Sequence, residues 1–326
     1  MGRRAYGVGG VQGGGRKGGS LRGSQEDVGR GGRGTLAWRM VMKVVIVGAG
    51  RAGGALALAL REAGYEITGI ASRSMESARR LAELVGTEDY SDRPEVLVPS
   101  GDLVVLSVPD GVVPSVCARI AERGGFRRGQ VVAHLSGALP SDVLSPAKEA
   151  GAYVLSMHPI QTLAEPETGA RRLKGSYFTL EGDPEAVGVG RRLVEDMGGR
   201  ALELPKGTKV LYHAALCVAS NYLVALVDAA VGLLRAAGVE PDEGLKAVLP
   251  LLLGTLENLR ELGLPHSLTG PIVRGDAGTV RAHLRALSEE VPEFLELYRT
   301  LGMYTLKVAL RAGLDEKAAK EISALL

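Results

Sequence analysis

A short glycine pattern places the strongest constraint on the fold of this chain. Residues 43–47, Lys-Val-Val-Ile-Val, are typical of a buried strand, and Gly-Ala-Gly-Arg-Ala-Gly follows directly. Glycines with this spacing suit a strand that turns sharply into a helix whose N-terminus faces a pyrophosphate. The alanine- and leucine-rich residues 52–63 predict that helix. We therefore predict a dinucleotide-binding loop made of Gly48, Ala49, Gly50, Arg51, Ala52 and Gly53.

The end of the second predicted strand, residues 66–71, indicates which dinucleotide binds. Chains that bind NAD place a carboxylate here, about 20 residues beyond the glycines, to hold the ribose hydroxyls. This chain has Ser72-Arg73-Ser74 instead, and an arginine between serines can bind a 2′-phosphate. The pattern favours NADP, in either redox form, over NAD. The alternative is that Ser74 only caps the next helix and that Arg73 is a solvated loop residue.

The first 41 residues differ in composition from the rest. Residues 1–34 contain 14 glycines and seven lysines or arginines, so they have too little apolar surface to offset the entropy of ordering. We expect a disordered tail, which is either an RNA-binding arm or, as we favour, an upstream extension of a chain that starts at Met42. Residues 1–42 carry a charge of +6 and the other 284 residues carry −4. No nucleic-acid partner is expected for residues 42–326.

Apolar runs, cysteines and histidines bear on the compartment and on metals. No uninterrupted run of 18 apolar residues occurs, so no membrane span is predicted. The two cysteines, Cys117 and Cys217, do not indicate a disulfide framework, and we expect a cytoplasmic chain. The five histidines lack metal-ligand spacing, so no metal site is predicted.

The alternation of short apolar strands with helical stretches predicts an α/β fold over residues 42–204. Such a pattern is typical of a doubly wound, mainly parallel sheet covered by helices on both faces. Beyond it, residues 205–326 show only helical periodicity, and residues 206–237 read as one long helix. Because residues 214–234 are apolar on nearly every face, we expect a homodimer through this helical domain. The alternative is that its own domain covers the helix.

Three predicted strands of the first domain end in residues that suit a ligand site. In open α/β sheets the ligand lies beyond the carboxyl ends of the strands. We therefore assign Val108 and Pro109 to the cofactor, Ser136 and Gly137 to a substrate carboxylate, and His158 to the chemistry. The alternative is that these residues form ordinary turns.

The beginning of the long helix holds two groups that can donate a proton to a developing alkoxide, Lys209 and His213. They are four residues apart and share one face. A solvated lysine and a core histidine are the alternatives. Further along, Asn221 and Arg274 are predicted to bind the polar end of the substrate, although Arg274 can instead pair with Asp276.

Five motifs carry a family resemblance: His134-Leu-Ser-Gly-Ala138, Ser156-Met-His-Pro159, Tyr212-His-Ala-Ala215, Ser220-Asn221 and residues 268–276. Together they resemble the β-hydroxyacid dehydrogenase-like superfamily, which includes 6-phosphogluconate dehydrogenase, and within it the group with a Rossmann-like domain and a DUF2520 domain. The resemblance implies an NADP domain, a dimerising helical domain and a substrate cleft between them. It also implies an essential lysine where the long helix opens, matched by Lys209, whereas His213 stands where an asparagine is expected.

The residues and the resemblance lead to one expected function and two alternatives. We expect an NADP-dependent oxidoreductase that acts on a small carboxylate-bearing keto or hydroxy compound, with a ketopantoate-like 2-keto acid as the first candidate. One alternative is a non-catalytic NADP(H)-binding sensor or partner-binding protein. The other is oxidation of the prephenate type, since His158-Pro159 resembles the His-Pro of prephenate dehydrogenases.

Overall fold

The computed structural model describes residues 42–326, so the predicted tail of residues 1–41 lies outside the described residues. An eight-stranded sheet comes first in this described part of the chain. Its strands are β1 Lys43–Val47, β2 Glu66–Ala71, β3 Tyr90–Ser91, β4 Leu103–Leu106, β5 Val131–His134, β6 Tyr153–Pro159, β7 Tyr177–Gly182 and β8 Arg200–Glu203. Their order is β3-β2-β1-β4-β5-β6-β7-β8, and every neighbouring pair is parallel except β6 and β7. The predicted mainly parallel sheet is confirmed.

Helices cover both faces of this sheet. They are α1 Arg51–Glu62, α2 Met75–Val85, α3 Pro94–Leu97, α4 Val113–Glu122, α5 Ser145–Glu149, α6 Pro166–Leu173 and α7 Pro184–Asp196. Successive side chains of β1 enter different cores: Val44 and Ile46 belong to one buried cluster, and Val45 and Val47 to another. Burial on both faces explains why the strand is an unbroken apolar run rather than an alternating one.

The strand order reverses at β1. The chain runs from β1 to β2 and β3 on one side, and then returns to β4 on the other side. Ligands of doubly wound sheets bind in the crevice at such a reversal, so the ends of β1 and β4 border it. Gly48 begins the loop after β1 with a positive φ of 115°, and a Cβ there would lie 2.1 Å from the carbonyl oxygen of Ser107. Only glycine fits at this point.

Six helices follow the sheet. They are α8 Lys209–Ala219, α9 Asn221–Ala236, α10 Pro241–Leu262, α11 Ala277–Glu290, α12 Leu295–Arg311 and α13 Glu316–Leu325. The prediction of one helix over residues 206–237 is wrong, because it begins at Lys209 and is interrupted at Ser220, whose φ and ψ are −116° and −63°. Serine and asparagine side chains compete for backbone hydrogen bonds in helices, and Ser220 and Asn221 stand together at this break.

Burial differs sharply within the helical part. Helices α11 to α13 share a small core that includes Val280, Leu306 and Ile322. Helices α8 to α10 instead expose apolar side chains, with Leu211, Val224 and Leu251 exposed by 77%, 70% and 70%. The alternative that its own domain covers the long helix is therefore wrong. Among the described residues one helical stretch, Lys209–Ala236, is long and apolar enough to cross a membrane when only length and composition are considered.

Both cysteines are unpaired. Cys117 is buried in α4, and Cys217 is half-buried in α8.

Candidate active site

The N-terminus of α1 forms a glycine-lined cradle beside the end of β1. A Cβ on Gly53 would lie 2.3 Å from the carbonyl oxygen of Gly48, so packing within the chain excludes a side chain there. A Cβ on Gly50 would have no described atom within 4 Å, so the space above Gly50 is open. The first turn of α1 holds no acidic residue and starts with the exposed Arg51. This cradle fits a pyrophosphate, which the free N–H groups of the helix N-terminus attract.

The segment after β2 fits the 2′-phosphate of NADP. Ser74 caps α2, since its Oγ accepts a hydrogen bond from the N–H of Ser77 at 3.2 Å. Arg73 is exposed, and within residues 42–326 no carboxylate forms an ion pair with it. Its guanidinium is thus available to an anion. The predicted cap at Ser74 is confirmed.

The loop beyond β5 is held by the buried His134. Its Nδ1 accepts a hydrogen bond from the N–H of Ser136 at 3.1 Å, so the ring proton lies on Nε2, which donates to the carbonyl oxygen of Pro140 at 3.1 Å. Burial lowers the pKa of His134 to about 4. The neutral ring joins both ends of the loop.

Ser136 uses both of its hydrogen-bond donors inside the protein. Its N–H goes to His134, and its hydroxyl donates to Oδ2 of Asp110 at 2.7 Å. The hydroxyl oxygen of Ser136 also accepts hydrogen bonds from the N–H groups of Ala138 and Leu139 at 3.1 and 3.0 Å. Ser136 was predicted to bind a substrate carboxylate, but in this arrangement it has no free donor for one. Its hydrogen bonds instead hold the shape of the loop.

Lys209 is buried against this loop. It is only 2% exposed, and its Nζ donates to the carbonyl oxygen of Ser136 at 3.0 Å. Burial lowers the pKa of Lys209 to about 8, although the carboxylates of Glu181 and Asp110 act in the opposite direction. The alternative that Lys209 is a solvated first-turn lysine is wrong, because packing of α8 against the sheet removes it from water.

A cavity of about 300 Å³ lies between the end of β6 and the junction of α8 with α9. Its lining residues are His158, Ile160, Gln161, Thr162, His213, Leu216, Cys217, Ala219, Ser220 and Asn221. Of the predicted site residues, His158, His213 and Asn221 thus meet in one cavity. Lys209 and Ser136 do not line it. Among residues 42–326 no group of three or more potential metal ligands occurs.

Two imidazoles converge over Gly137. A Cβ on Gly137 would lie 2.9 Å from Nε2 of His158 and 2.8 Å from Cδ2 of His213. The absence of a side chain at Gly137 therefore makes room for both rings. His158 is further fixed by a hydrogen bond of 2.7 Å between its Nδ1 and the hydroxyl of Tyr212. Burial, assisted by the positive charge of Lys209, lowers the pKa of His158 to about 4.

The polar segment before α11 lies apart from the cavity lining. Asp276 caps α11, because its Oδ1 accepts from the N–H of Thr279 at 2.9 Å and its Oδ2 accepts from the hydroxyl of Thr279 at 2.6 Å. Arg274 is exposed, and its charge lowers the pKa of Asp276 after the larger effect of Thr279. The substrate contact of Arg274 stays a prediction.

Sequence reasoning missed three residues that build the site: Tyr212, Asp110 and His134. Asp110 directly follows Pro109, which lies at the end of a predicted strand. This position could have identified Asp110 as a site residue. His134 precedes the Ser136-Gly137 turn by two residues, which is the usual reach of a side chain to a nearby backbone N–H. Tyr212 begins one of the motifs of the family resemblance, but no local signal indicated its partner His158, which lies 54 residues away in the chain.

Two family models match the chain. A Rossmann-like domain matches residues 34–159, and a domain of unknown function, DUF2520, matches residues 176–305. No curated protein matches the sequence. The second model includes the last two strands of the sheet as well as helices α8 to α11.

Solved structures with the same fold match this chain over nearly the whole of their own length. A candidate NADP oxidoreductase from Bacteroides fragilis is 25% identical with a TM-score of 0.64, and covers 82% of this chain and 98% of its own. Protein TM1727 from Thermotoga maritima is 27% identical with a TM-score of 0.66, and covers 82% and 99%. A reductive aminase from Aspergillus terreus is 19% identical with a TM-score of 0.56, covers 87% and 98%, and is similar in fold alone.

Proposed function

We propose that this chain, which joins a Rossmann-like domain to a DUF2520 domain, is an NADP-dependent oxidoreductase. Its substrate is a small carboxylate-bearing keto compound, or the corresponding hydroxy compound in the reverse direction. One observation carries this proposal: the two imidazoles of His158 and His213 converge over Gly137, in a cavity at the same sheet edge as the glycine cradle. NADPH supplies the hydride when it is bound.

The cofactor residues follow the crevice at the strand reversal. Gly48, Gly50 and Gly53 leave room for the pyrophosphate at the N-terminus of α1. Arg73 binds the 2′-phosphate. Val108 and Pro109 border the nicotinamide end of the cofactor. The amide nitrogen of Val108 lies beside the glycine cradle, 3.1 Å from the position that a Cβ on Gly48 would take.

His213 is the proton donor that the geometry favours. It lines the cavity, whereas Lys209 donates to Ser136 behind the cavity wall. The charge of Lys209 nevertheless acts on the cavity, since it contributes to the lowered pKa of His158. A positive charge near a carbonyl favours the negative charge that develops on its oxygen. In this proposal Lys209 acts through its positive charge and by holding the loop at Ser136. His213 is the acid, and Asn221 binds the polar end of the substrate.

The charges around the cavity favour a carbonyl over an imine. A protonated imine is a cation, and a buried cation needs an anionic partner. The cavity lining includes no aspartate or glutamate, and the nearby Asp110 accepts from Ser136. An anionic 2-keto acid suits the field of Lys209 instead. A 2-keto acid of the size of ketopantoate is our first candidate, ahead of prephenate.

The test is NADPH oxidation by the purified chain over a panel of 2-keto acids and cyclic imines, with NADP⁺ and prephenate as the reverse assay. We expect turnover with a 2-keto acid, its loss in His213→Ala, and its retention in a His266→Ala control, since His266 is exposed outside the cavity. Retained turnover in His213→Ala removes that residue as the acid. Tight NADPH binding without turnover on any compound favours the non-catalytic sensor.

A second copy of the chain covers helices α8 to α10 in this proposal. Exposed apolar surfaces of this extent are typical of protein or membrane contacts. Helix α8 and the start of α9 form one wall of the cavity, with the polar residues His213, Ser220 and Asn221, and such polar groups are costly in lipid. A homodimer is therefore favoured over a membrane contact. The cytoplasmic location stays a prediction that follows from the unpaired cysteines.

A further inference from the structure

Tyr212 links the beginning of α8 to the end of β6. It stands between Lys209 and His213 in the sequence, and its hydroxyl lies 2.7 Å from Nδ1 of His158. The two rings meet edge to face, with centroids 5.8 Å apart and planes at 81°. The centroid of the Tyr212 ring also lies 5.3 Å from Nζ of Lys209, a distance that suits a cation–π contact. Both neighbours restrict rotation of the tyrosine ring.

The chemistry of the two groups decides which one donates. A neutral imidazole has one N–H donor and one nitrogen acceptor. A phenol is the more acidic donor and an imidazole nitrogen is the more basic acceptor. The hydroxyl of Tyr212 therefore donates to Nδ1, and the ring proton of His158 lies on Nε2. Nε2 is the atom that lies 2.9 Å from the position of a Cβ on Gly137, at the cavity.

We propose that Tyr212 is a positioning residue that fixes His158 in the Nε2–H tautomer, so that a neutral imidazole donates a hydrogen bond to the carbonyl oxygen of the substrate. This proposal rests on the proposed function. In the reduction, hydride adds to the carbonyl carbon, the C=O π pair moves to the oxygen, and His213 delivers the proton that completes the hydroxyl. His158 keeps its own proton throughout. A donor aimed at an oxygen that gains charge stabilises the transition state more than the ground state.

Burial supports a neutral donor, since it holds the pKa of His158 far below neutral pH. The tautomer nevertheless depends on the hydrogen bond alone, because burial does not distinguish Nδ1 from Nε2. Without the hydroxyl of Tyr212, both tautomers of a neutral imidazole become accessible. One of them would turn an acceptor toward the carbonyl oxygen and repel it.

The helical part contains a matched pair that serves as a control. Tyr298 places its hydroxyl 2.8 Å from Nδ1 of His283, and the rings have centroids 5.8 Å apart with planes at 89°. Neither residue lines the cavity. Tyr298→Phe thus removes the same kind of hydrogen bond with no predicted consequence for the reaction.

The decisive measurement is NMR of isotope-labelled imidazole nitrogens in the full chain, without substrate, with His158→Gln used to assign the signal. We expect His158 to carry its proton on Nε2 in the parent chain and in Tyr298→Phe, and to become a mixture of tautomers in Tyr212→Phe. A parent His158 protonated on Nδ1, or an unchanged tautomer in Tyr212→Phe, overturns the proposal. Because the parent chain alone tests the tautomer, a poorly folded variant leaves the test intact.

Kinetics provide a second readout. With the 2-keto acid that serves as substrate, Tyr212→Phe should lower kcat by about 10-fold, since one oriented donor is lost, while KM and NADPH binding change little. Tyr298→Phe should match the parent. An unchanged kcat in Tyr212→Phe contradicts the positioning role. If no substrate in the panel is turned over, the proposed reduction fails, and the NMR result separately decides the tautomer.

Discussion

The ammonium of Lys209 and the backbone carbonyl oxygen of Ser136 lie 3.0 Å apart and join α8 to the loop beyond β5. This hydrogen bond connects the helical part of the chain to the sheet edge where the cofactor cradle lies. It places a buried positive charge behind the wall of the cavity. The bond therefore couples the architecture of the protein to the electrostatics of its site.

Replacing this charge should affect the reaction more than the stability. In Lys209→Met, the carbonyl oxygen of Ser136 loses a partner, which costs about 1–3 kcal/mol. Loss of the buried charge gives back a similar amount, because a pKa lowered from 10.5 to about 8 corresponds to roughly 3 kcal/mol. We expect the free energy of unfolding to change by less than about 2 kcal/mol and turnover to fall at least about 10-fold.

The control is Lys206→Met, since Lys206 is exposed and pairs with Asp142 at the surface. Chemical unfolding as a function of pH tests the direction in which Lys209 changes the stability. The folded chain binds fewer protons than the unfolded chain between pH 8 and 10.5, so stability from this group rises with pH over that range. Lys209→Met should flatten the rise. A variant with unaltered turnover and an unaltered pH slope would contradict this account.

Gly50 and Gly53 should respond differently to alanine. Gly50→Ala places a methyl group in open space above the N-terminus of α1, so the apo melting temperature should stay unchanged while NADPH affinity falls at least about 10-fold. Gly53→Ala meets the carbonyl oxygen of Gly48 and should lower the melting temperature. Gly188→Ala is the control, since its Cβ also meets no described atom and lies on α7. If titration calorimetry shows that Gly50→Ala binds NADPH as tightly as the parent chain, the glycine cradle is not the pyrophosphate site.

Arg73→Ala should change cofactor preference. The guanidinium supplies charge-assisted hydrogen bonds to a 2′-phosphate that NADH lacks. We expect NADPH to bind about 10- to 100-fold more weakly, as for the loss of a charged hydrogen bond of about 1.5–3 kcal/mol, and NADH to bind as before. Arg119→Ala, an exposed substitution on α4, should alter neither. Equal losses for both cofactors would remove Arg73 from the 2′-phosphate.

Acid should destabilise the fold through two histidines, the buried His134 and the half-buried His158. His134 and His158 have pKa values of about 4 in the folded chain against 6.5 when unperturbed. The unfolded chain therefore binds more protons between pH 6.5 and 4, and stability falls as the pH falls through this range, by up to about 3 kcal/mol for each group. His134→Gln should reduce the slope of stability against pH, and the exposed His266→Gln should not. Equal slopes in all three chains would contradict the neutral rings.

The apolar surface of α8 to α10 should form a dimer interface. Light scattering should give twice the chain mass of 34.1 kDa, and Val224→Asp combined with Leu251→Glu should give the monomer, because a charge placed in an apolar interface is costly. Val96→Glu is the control, as Val96 is 59% exposed on α3. A parent chain that is monomeric, or that floats with lipid vesicles, would contradict the dimer.

Some elements could be read from the sequence because their signals are local. The observed bounds of β1 and β2 agree with the predicted residues 43–47 and 66–71. Each is delimited by nearby glycine, proline or capping residues, whose preferred backbone angles do not depend on distant contacts. The glycine cradle belongs to the same class, since the spacing of its three glycines already describes its turn.

The surroundings of Lys209 and Tyr212 could not be predicted from local signals. Lys209 meets Ser136 across 73 residues of sequence, and Tyr212 meets His158 across 54. Long-range contacts of this kind depend on how α8 packs against the sheet edge, and periodicity along a helix does not report on them.

Residue types and their spacing were enough to predict the fold class, the cradle for a dinucleotide and the strand ends that face it. The cavity that His158 and His213 share over Gly137, the position of Lys209 behind it and the contact of Tyr212 with His158 emerge only in the folded chain. Neighbours in the chain largely set backbone conformation, whereas burial, charge and hydrogen-bond partners depend on residues that folding brings together.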